Sequence, residues 1–235
     1  MGQSEQSLVR HIHSVNALRE SAEKTGLLKQ IHALQNWQCQ RLLATHSELA
    51  QQEKYQRAMN FFVEELYGPQ DFSQRDADLA RVIPKFANIL PANAMQALDD
   101  ALALNALSFE LDMQMVQHLA SAPLTRDSYA EAYLTLGRQP DRERQILLVA
   151  SMGRELSSVA NIFGIDTLLK LAKRPAHVAG LQSLHGFLER GFMVFKTMGN
   201  IESFMQPVIA REHELMLQLF DPKRDLTKEN PVPHV

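Results

Sequence analysis

The spacing of glycine and proline is the feature that most restricts how this chain can fold. Residues 27–67 contain neither amino acid, and the ten glycines and ten prolines lie mainly between segments with helical periodicity. Glycine and proline interrupt helices, so their positions divide the chain into helical segments of ordinary length. The pattern predicts an all-α fold, a single-domain multi-helix bundle of about eight or nine helices over residues 1–220.

Apolar residues in these segments recur at the three- and four-residue spacing of a helix face. Leu8 should lie on the buried face of a first helix over residues 4–22. The helix that starts near Pro140 should turn Leu147 inward. A further helix is expected over residues 175–198. These faces together predict a core formed between helices.

Residues 92–121 are predicted to form one long helix. Residues 108–116 alternate like a strand, but the flanks are rich in alanine and leucine and no second good strand accompanies them. Two polar residues, Asn105 and Asp112, interrupt the apolar stripe of this helix. Residues 221–235 are charged, contain three prolines and are expected to form an irregular tail.

The composition is that of an ordinary globular chain, with 45% hydrophobic and 22% charged residues. A net charge of −3, without a run of lysine and arginine, indicates no nucleic-acid-binding surface. No stretch approaches the roughly eighteen apolar residues of a membrane span, and the N-terminus lacks the apolar core of a signal peptide. The single cysteine, Cys39, excludes an internal disulfide. We therefore expect a cytoplasmic protein with neither nucleic-acid nor membrane partners.

One short segment combines aromatic rings, paired carboxylates, a helix stop and a new helix start. The glycine and proline at 68–69 should end one helix, and a second helix, capped by Asp71 or Ser73, is expected over residues 73–88. Helical spacing should place Glu65 beside two phenylalanine rings, so its charge would need a partner, for which Arg75 is the candidate. The alternative is a carboxylate with a raised pKa in an apolar pocket. The motif residues are Phe61, Phe62, Glu64, Glu65, Tyr67, Gly68, Arg75 and Asp76.

The run from Phe61 to Tyr67 resembles the signature of an uncharacterised bacterial family, the FFLEELY-motif proteins, with Val63 in place of the usual leucine. The resemblance implies a soluble, mainly helical bacterial protein, and it carries no established activity or functional residues. It extends over most of the chain and includes the flanking pairs Trp37-Gln38, Arg41-Leu42, Gly68-Pro69, Asp71-Phe72 and Arg75-Asp76.

Acidic and histidine side chains on helices raise the hypothesis of a metal centre. Di-metal carboxylate sites in helical bundles combine glutamates with Glu-x-x-His motifs, and this sequence contains no such motif. Haem would need only one histidine in an apolar pocket. No cofactor is predicted. The candidate metal or ligand residues are Asp112, His185, Glu189 and Glu212.

These observations favour a non-enzymatic cytosolic binding or protein-interaction protein. Extra apolar positions in residues 92–121 and 175–198 could form a small-molecule pocket or a homodimer interface as readily as an internal core. The alternative is a metal- or haem-dependent oxidoreductase with its site in the helical core. The sequence leaves open whether the protein is an enzyme.

Overall fold

The computed structural model of the chain describes residues 3–63, 77–82, 92–120, 122–160 and 164–235. The regular structure in these ranges is helical throughout, which confirms the predicted all-α class. In chain order the helices are α1 (Gln3–Lys24), α2 (Leu28–Thr45), α3 (Ser47–Ala50), α4 (Glu53–Phe61), α5 (residues 77–82), α6 (Ala92–Leu119), α7 (Arg126–Leu136), α8 (Gln139–Ala160), α9 (Ile165–Val178), α10 (Gln182–Met198) and α11 (Glu202–Leu219).

The described ranges thus contain eleven helices where the sequence predicts about eight or nine. Part of the difference lies within residues 27–67, where the helix breaks at His46 without glycine or proline. His46 has φ −113° and ψ 29°, outside the helical region, and its ring contacts the Glu212 carboxylate. A tertiary contact therefore accompanies a helix break that local sequence does not signal.

The predicted helix over residues 175–198 has the wrong starting point. Helix α9 accommodates Pro175 in its last turn, and the break comes later, at Gly180, whose φ of +70° favours glycine. The N–H of Leu181 bonds back to the carbonyl of Ala176 at 2.8 Å, which closes the helix end in the manner of a Schellman cap. Glycine, not proline, separates α9 from α10.

Helices α6 and α8 form an antiparallel pair that the other core helices surround. The side chains of Ser108 and Gln145 are joined by a hydrogen bond of 2.8 Å, as are those of Asn93 and Ser158. Residue numbers rise along α6 as they fall along α8, which establishes the antiparallel direction. The short helix α7 that connects them starts with a capping box between Thr125 and Ser128 and ends at a left-handed glycine.

Residues 221–235 contain no helix or strand, but they pack against the helices. Val232 is fully buried in the core that α1, α2, α6, α7 and α11 share. The Arg126 side chain donates to the carbonyls of Asn230 and Val232, and the Asn230 amide donates to Asp127 at 2.8 Å. The start of α7 therefore holds the irregular segment in place.

A cluster of aromatic rings surrounds the end of α4. Phe61 stacks on Phe187 and meets Phe195 edge to face, while Phe62 stacks on Phe204 with 5.8 Å between centroids. These contacts join α4 to α10 and α11 and account for the aromatic half of the motif. The expected bend and the expected ion pair lie outside the described ranges. The same is true of the remaining motif residues, which are Glu64, Glu65, Tyr67, Gly68, Arg75 and Asp76.

We expect Gly191→Ala to destabilise the protein because this cluster leaves no room for a methyl group. A Cβ on Gly191 would lie 2.9 Å from the Phe61 ring. Overpacking of this kind costs about 1–3 kcal/mol, partly offset by about 1 kcal/mol of improved helix propensity. Gly186→Ala is the matched control on the same helix, since its nearest neighbour is the flexible end of Arg190. Urea unfolding should therefore show Gly191→Ala as the less stable variant, and equal stabilities would contradict this packing.

Helix α9 has several exposed apolar side chains on one face. Leu168, Leu171 and Val178 are 65%, 71% and 92% exposed. They share one side of the helix at spacings of three and seven residues. No helix in the described ranges is both long and apolar enough to cross a membrane.

Candidate functional site

A cavity of about 240 Å³ lies in the centre of the bundle. Side chains from seven segments line it, and the contributing residues on each helix fall at helical spacing. On α6, for example, they are Ala101, Leu104, Asn105, Ser108 and Phe109. A cavity of roughly 150 Å³ accommodates benzene, so this space suits one small organic molecule.

The face that α8 presents to the cavity differs from the predicted one. Leu147 is 61% exposed, so the prediction that it points inward is wrong. The inward face includes its neighbour Ile146, about 100° away around the helix. Two polar residues on this inward face, Arg142 and Gln145, explain why hydrophobic periodicity selected the wrong side.

The cavity has a polar end and an apolar end. Along α8 the lining changes from Arg142 and Gln145 to Val149 and Met152. Ser108 of the antiparallel helix α6 lies level with Gln145, so Leu104 and Ala101 lie near the level of Val149 and Met152. We define the polar end by Asn105, Ser108, Tyr133, Arg142 and Gln145, and the apolar end by Met59, Phe62, Val149, Met152, Phe204 and Met205.

Arg142 is the central group of the polar end. Its side chain is buried, with 7% of the residue exposed, and its guanidinium lies 4.7 Å from the centre of the Tyr133 ring. One of its N–H groups donates to Gln145 Oε1 at 3.0 Å. In the part of the chain that the structure describes, no carboxylate forms a salt bridge with Arg142. A buried cation without an anion is costly, so this arrangement favours a negatively charged group in the cavity.

Two neighbouring side chains add hydrogen-bonding capacity. The Asn105 Nδ2 atom is buried, and no acceptor contacts it within the described ranges. Ser108 accepts a hydrogen bond from Gln145 Nε2 at 2.8 Å, and its own hydroxyl proton has no described acceptor. The polar end therefore presents donors from three different residues.

A buried network lies behind one wall of the cavity. Asp112 is fully buried and accepts hydrogen bonds from Gln38 at 2.8 Å and Gln35 at 3.1 Å. Gln38 in turn accepts a hydrogen bond from the Tyr129 hydroxyl at 3.3 Å. Burial raises the pKa of the Tyr129 and Tyr133 hydroxyls above the usual value for tyrosine. Both phenols are therefore neutral at physiological pH.

Glu212 lies where two basic side chains converge, Arg41 on α2 and His46 at the end of that helix. Arg41 Nη1 lies 2.6 Å from both carboxylate oxygens, and His46 Nε2 lies 2.9 Å from one of them. Burial of the carboxyl group acts to raise its pKa, but Arg41 and His46 outweigh it and lower the pKa of Glu212 to about 2. This carboxylate is ionised at neutral pH and is engaged by its own partners.

The single cysteine lies beside this site. Cys39 is 5% exposed, and its Sγ lies 3.6 Å from the Val63 carbonyl oxygen. Burial, and then the negative charge of Asp112, raise the pKa of the thiol to about 11. Reactive thiols require a lowered pKa, so this cysteine is unreactive in the folded protein.

The four candidate metal or ligand residues lie in different places. Glu212 lines the cavity, and Asp112 lies behind its wall, where it accepts a hydrogen bond from the lining residue Gln38. His185 instead donates from Nε2 to the Leu169 carbonyl at 2.8 Å, which joins α10 to α9. No described hydrogen bond joins His185 to Glu189. Among the described residues, no group of three or more histidine, cysteine, aspartate or glutamate side chains could hold a metal ion.

Several residues of the site were missed by sequence reasoning. Arg142 stands between Asp141 and Glu143 in the first turns of α8, where charged residues are usually exposed. Its inward position would have followed from the register that places Ile146, Val149 and Met152 together. Asn105 gave a direct signal, because it interrupts an apolar stripe.

The fold and the cavity define an all-α protein with an internal pocket that is polar at one end. A family profile described as a domain of unknown function (DUF8198) matches residues 17–226, and the chain belongs to that family. The match includes all the residues that line the cavity. Comparisons with curated proteins and with solved structures gave no match. The resemblance to the FFLEELY-motif proteins stays a prediction.

Proposed function

We propose that this protein binds one small amphipathic organic molecule in its central cavity. The observation that carries the proposal is the separation of the lining into a polar and an apolar end. Ligand pockets combine an apolar wall with a few convergent polar groups that orient the ligand. Here Phe62, Phe204 and Met205 provide the apolar wall, and Arg142 and Asn105 provide polar groups at the other end.

The size of the cavity limits the ligand. By proportion with benzene in a cavity of roughly 150 Å³, the volume corresponds to about ten non-hydrogen atoms. From Arg142 to Met152 the helix rises by about 15 Å, so an extended molecule fits better than a compact one. A single chain or ring system with one polar head satisfies both limits.

This proposal develops the expectation of a non-enzymatic binding protein with a small-molecule ligand. The metal- or haem-dependent oxidoreductase stays the alternative, although the described side chains form no group of three or more histidine, cysteine, aspartate or glutamate residues that could hold a metal ion. The homodimer stays a prediction, for which the exposed apolar side of α9 is the most suitable surface among the described residues. Cytoplasmic location and the absence of nucleic-acid or membrane partners also stay predictions.

A titration with 1-octanol, observed through ¹³C-labelled methionine methyl groups, tests the proposal. Met59, Met152 and Met205 line the cavity, so their resonances should shift with saturation at one molecule per chain. Met95, buried in a separate cluster, and Met193, 50% exposed, should not shift. This internal comparison separates cavity binding from adsorption to the surface.

A cavity-filling variant provides the second arm of the test. Ala101→Leu adds three carbon atoms to the cavity lining and should abolish the methionine shifts. Ala17→Leu adds the same atoms on the exposed side of α1 and should leave them unchanged. Shifts that do not saturate, or that occur equally at Met95 and Met193, would reject cavity binding.

A further inference from the structure

We infer that the ligand is a monocarboxylate whose head group binds Arg142. The inference rests on the proposed function, since it names the chemical class of the molecule in the same cavity. The carboxylate would lie at the polar end among Arg142, Asn105 and Ser108, with its hydrocarbon part against Phe62 and Phe204.

The charges of the cavity wall support an anion. Glu212 is the only carboxylate among the described lining residues, and its oxygens are engaged by Arg41 and His46. Asp112, which lies behind the wall, bonds to Gln35 and Gln38. Neither acid forms a salt bridge with Arg142, so neither neutralises that guanidinium directly.

The geometry of the guanidinium favours a carboxylate in particular. Arginine has five N–H donors in one plane and binds carboxylates through two parallel hydrogen bonds. Of these donors, the described contacts engage one, with Gln145, while the central guanidinium carbon lies 4.7 Å from the centre of the Tyr133 ring. A ligand in the cavity can therefore approach the edge of the plane, where the other N–H groups are.

The neighbouring side chains extend this recognition. Gln145 accepts from Arg142 and donates to Ser108, so both of its amide atoms are engaged and its orientation is determined. Ser108 then has its hydroxyl proton to donate, and Asn105 has its buried Nδ2. A carboxylate has two oxygens with about four acceptor sites, which matches donors from these three residues.

The charge of Arg142 and the volume of the cavity together restrict the chemical class of the ligand. The Arg142 guanidinium matches a ligand of charge −1 better than a phosphate monoester, which carries close to two negative charges at neutral pH. About ten non-hydrogen atoms correspond to a medium-chain or arylalkyl monocarboxylate. Octanoate, which has ten non-hydrogen atoms, is the appropriate probe.

The test compares three linear molecules of eight carbon atoms that differ in their head group: octanoate, 1-octanol and octylamine. Each is titrated at pH 7 into the full chain and followed through the methionine methyl resonances and by calorimetry. Octanoate should bind at least about tenfold more tightly than 1-octanol, since a hydrogen bond to a charged group contributes more than a neutral one. Octylamine should not bind, because its cation would meet Arg142.

Arg142→Met removes the charge and preserves much of the side-chain volume. It should weaken octanoate binding by at least about tenfold and so abolish the preference for octanoate over 1-octanol. Arg144→Met is the matched control, since Arg144 is exposed on the same helix, and it should retain the preference. If Arg142→Met does not fold, the comparison of the three molecules on the unmodified chain still tests whether the cavity prefers a carboxylate.

The outcomes separate this inference from the proposed function. Saturable binding of 1-octanol with no preference for octanoate would overturn the carboxylate inference and leave the amphipathic pocket in place. A preference that survives Arg142→Met would overturn the role of Arg142. Failure of both octanoate and 1-octanol to shift the cavity methionines would overturn both proposals.

Discussion

Glutamine in place of Glu212 is expected to lower the free energy of unfolding by about 3–5 kcal/mol, the cost of breaking a buried ion pair from one side. The Arg41 and His46 side chains are 10% and 3% exposed, and Glu212 engages both. The neutral amide keeps the shape of the side chain and removes the negative charge that Arg41 and His46 contact. Urea unfolding at pH 7 measures the difference.

Glu214→Gln is the control for this variant. It makes the same change two residues away on α11, but the Glu214 side chain is 58% exposed and lies 4.0 Å from an exposed arginine. Exposed ion pairs contribute about 0–1 kcal/mol. Similar losses in the two variants would show that Glu212 does not stabilise the fold through Arg41 and His46.

The low pKa of Glu212 also predicts how acid affects stability. Its pKa is about 2 in the folded protein and 4.5 as a model value. The ionised group therefore stabilises the fold above pH 4.5, and this contribution is lost as the pH falls from 4.5 towards 2. This lowering of the Glu212 pKa corresponds to roughly 3 kcal/mol of folding free energy. The difference in unfolding free energy between the native chain and Glu212→Gln should shrink across this pH range, and a constant difference would contradict the assignment.

Asp112→Ala is expected to destabilise the protein by about 2–4 kcal/mol. Asp112 is fully buried, and its removal leaves the side-chain amides of Gln35 and Gln38 without their acceptor. Unsatisfied buried donors cost about 1–3 kcal/mol each, and the vacated space adds a cavity term. The free energy of unfolding in urea gives the magnitude.

The comparison for Asp112 is Glu110→Ala on the same helix. The Glu110 side chain is 42% exposed and pairs with Arg138 at 3.0 Å, so its removal should cost about 1 kcal/mol or less. If Asp112→Ala were as mild as Glu110→Ala, the buried network of α2 and α6 would not be a major source of stability.

Helical periodicity predicted much of the fold, because most inward faces are apolar. Leu8, Leu102 and Phe109 are buried as their spacing indicates. The prediction failed for α8, where the inward face begins with Arg142 and Gln145 while Leu147 faces solvent. Periodicity assumes that polar residues face water, and a polar cavity violates that assumption.

The site was signalled only where a polar residue interrupted an apolar stripe. Asn105 and Asp112 stood out for that reason, and both lie at or behind the cavity wall. Arg41 and Glu212 are far apart in the chain, and only the tertiary fold brings them to 2.6 Å. The break at His46 likewise coincides with a contact to Glu212, which no local pattern could reveal.

The buried thiol has a practical consequence for studying motion in the molecule. Cys39 is the single cysteine in the sequence, it contacts the Val63 carbonyl near the apolar end of the cavity, and its pKa is about 11. An alkylating reagent can attack it only during a transient opening that separates α2 from the chain at residue 63. The alkylation rate of Cys39 therefore reports local unfolding beside the pocket, without any engineered label.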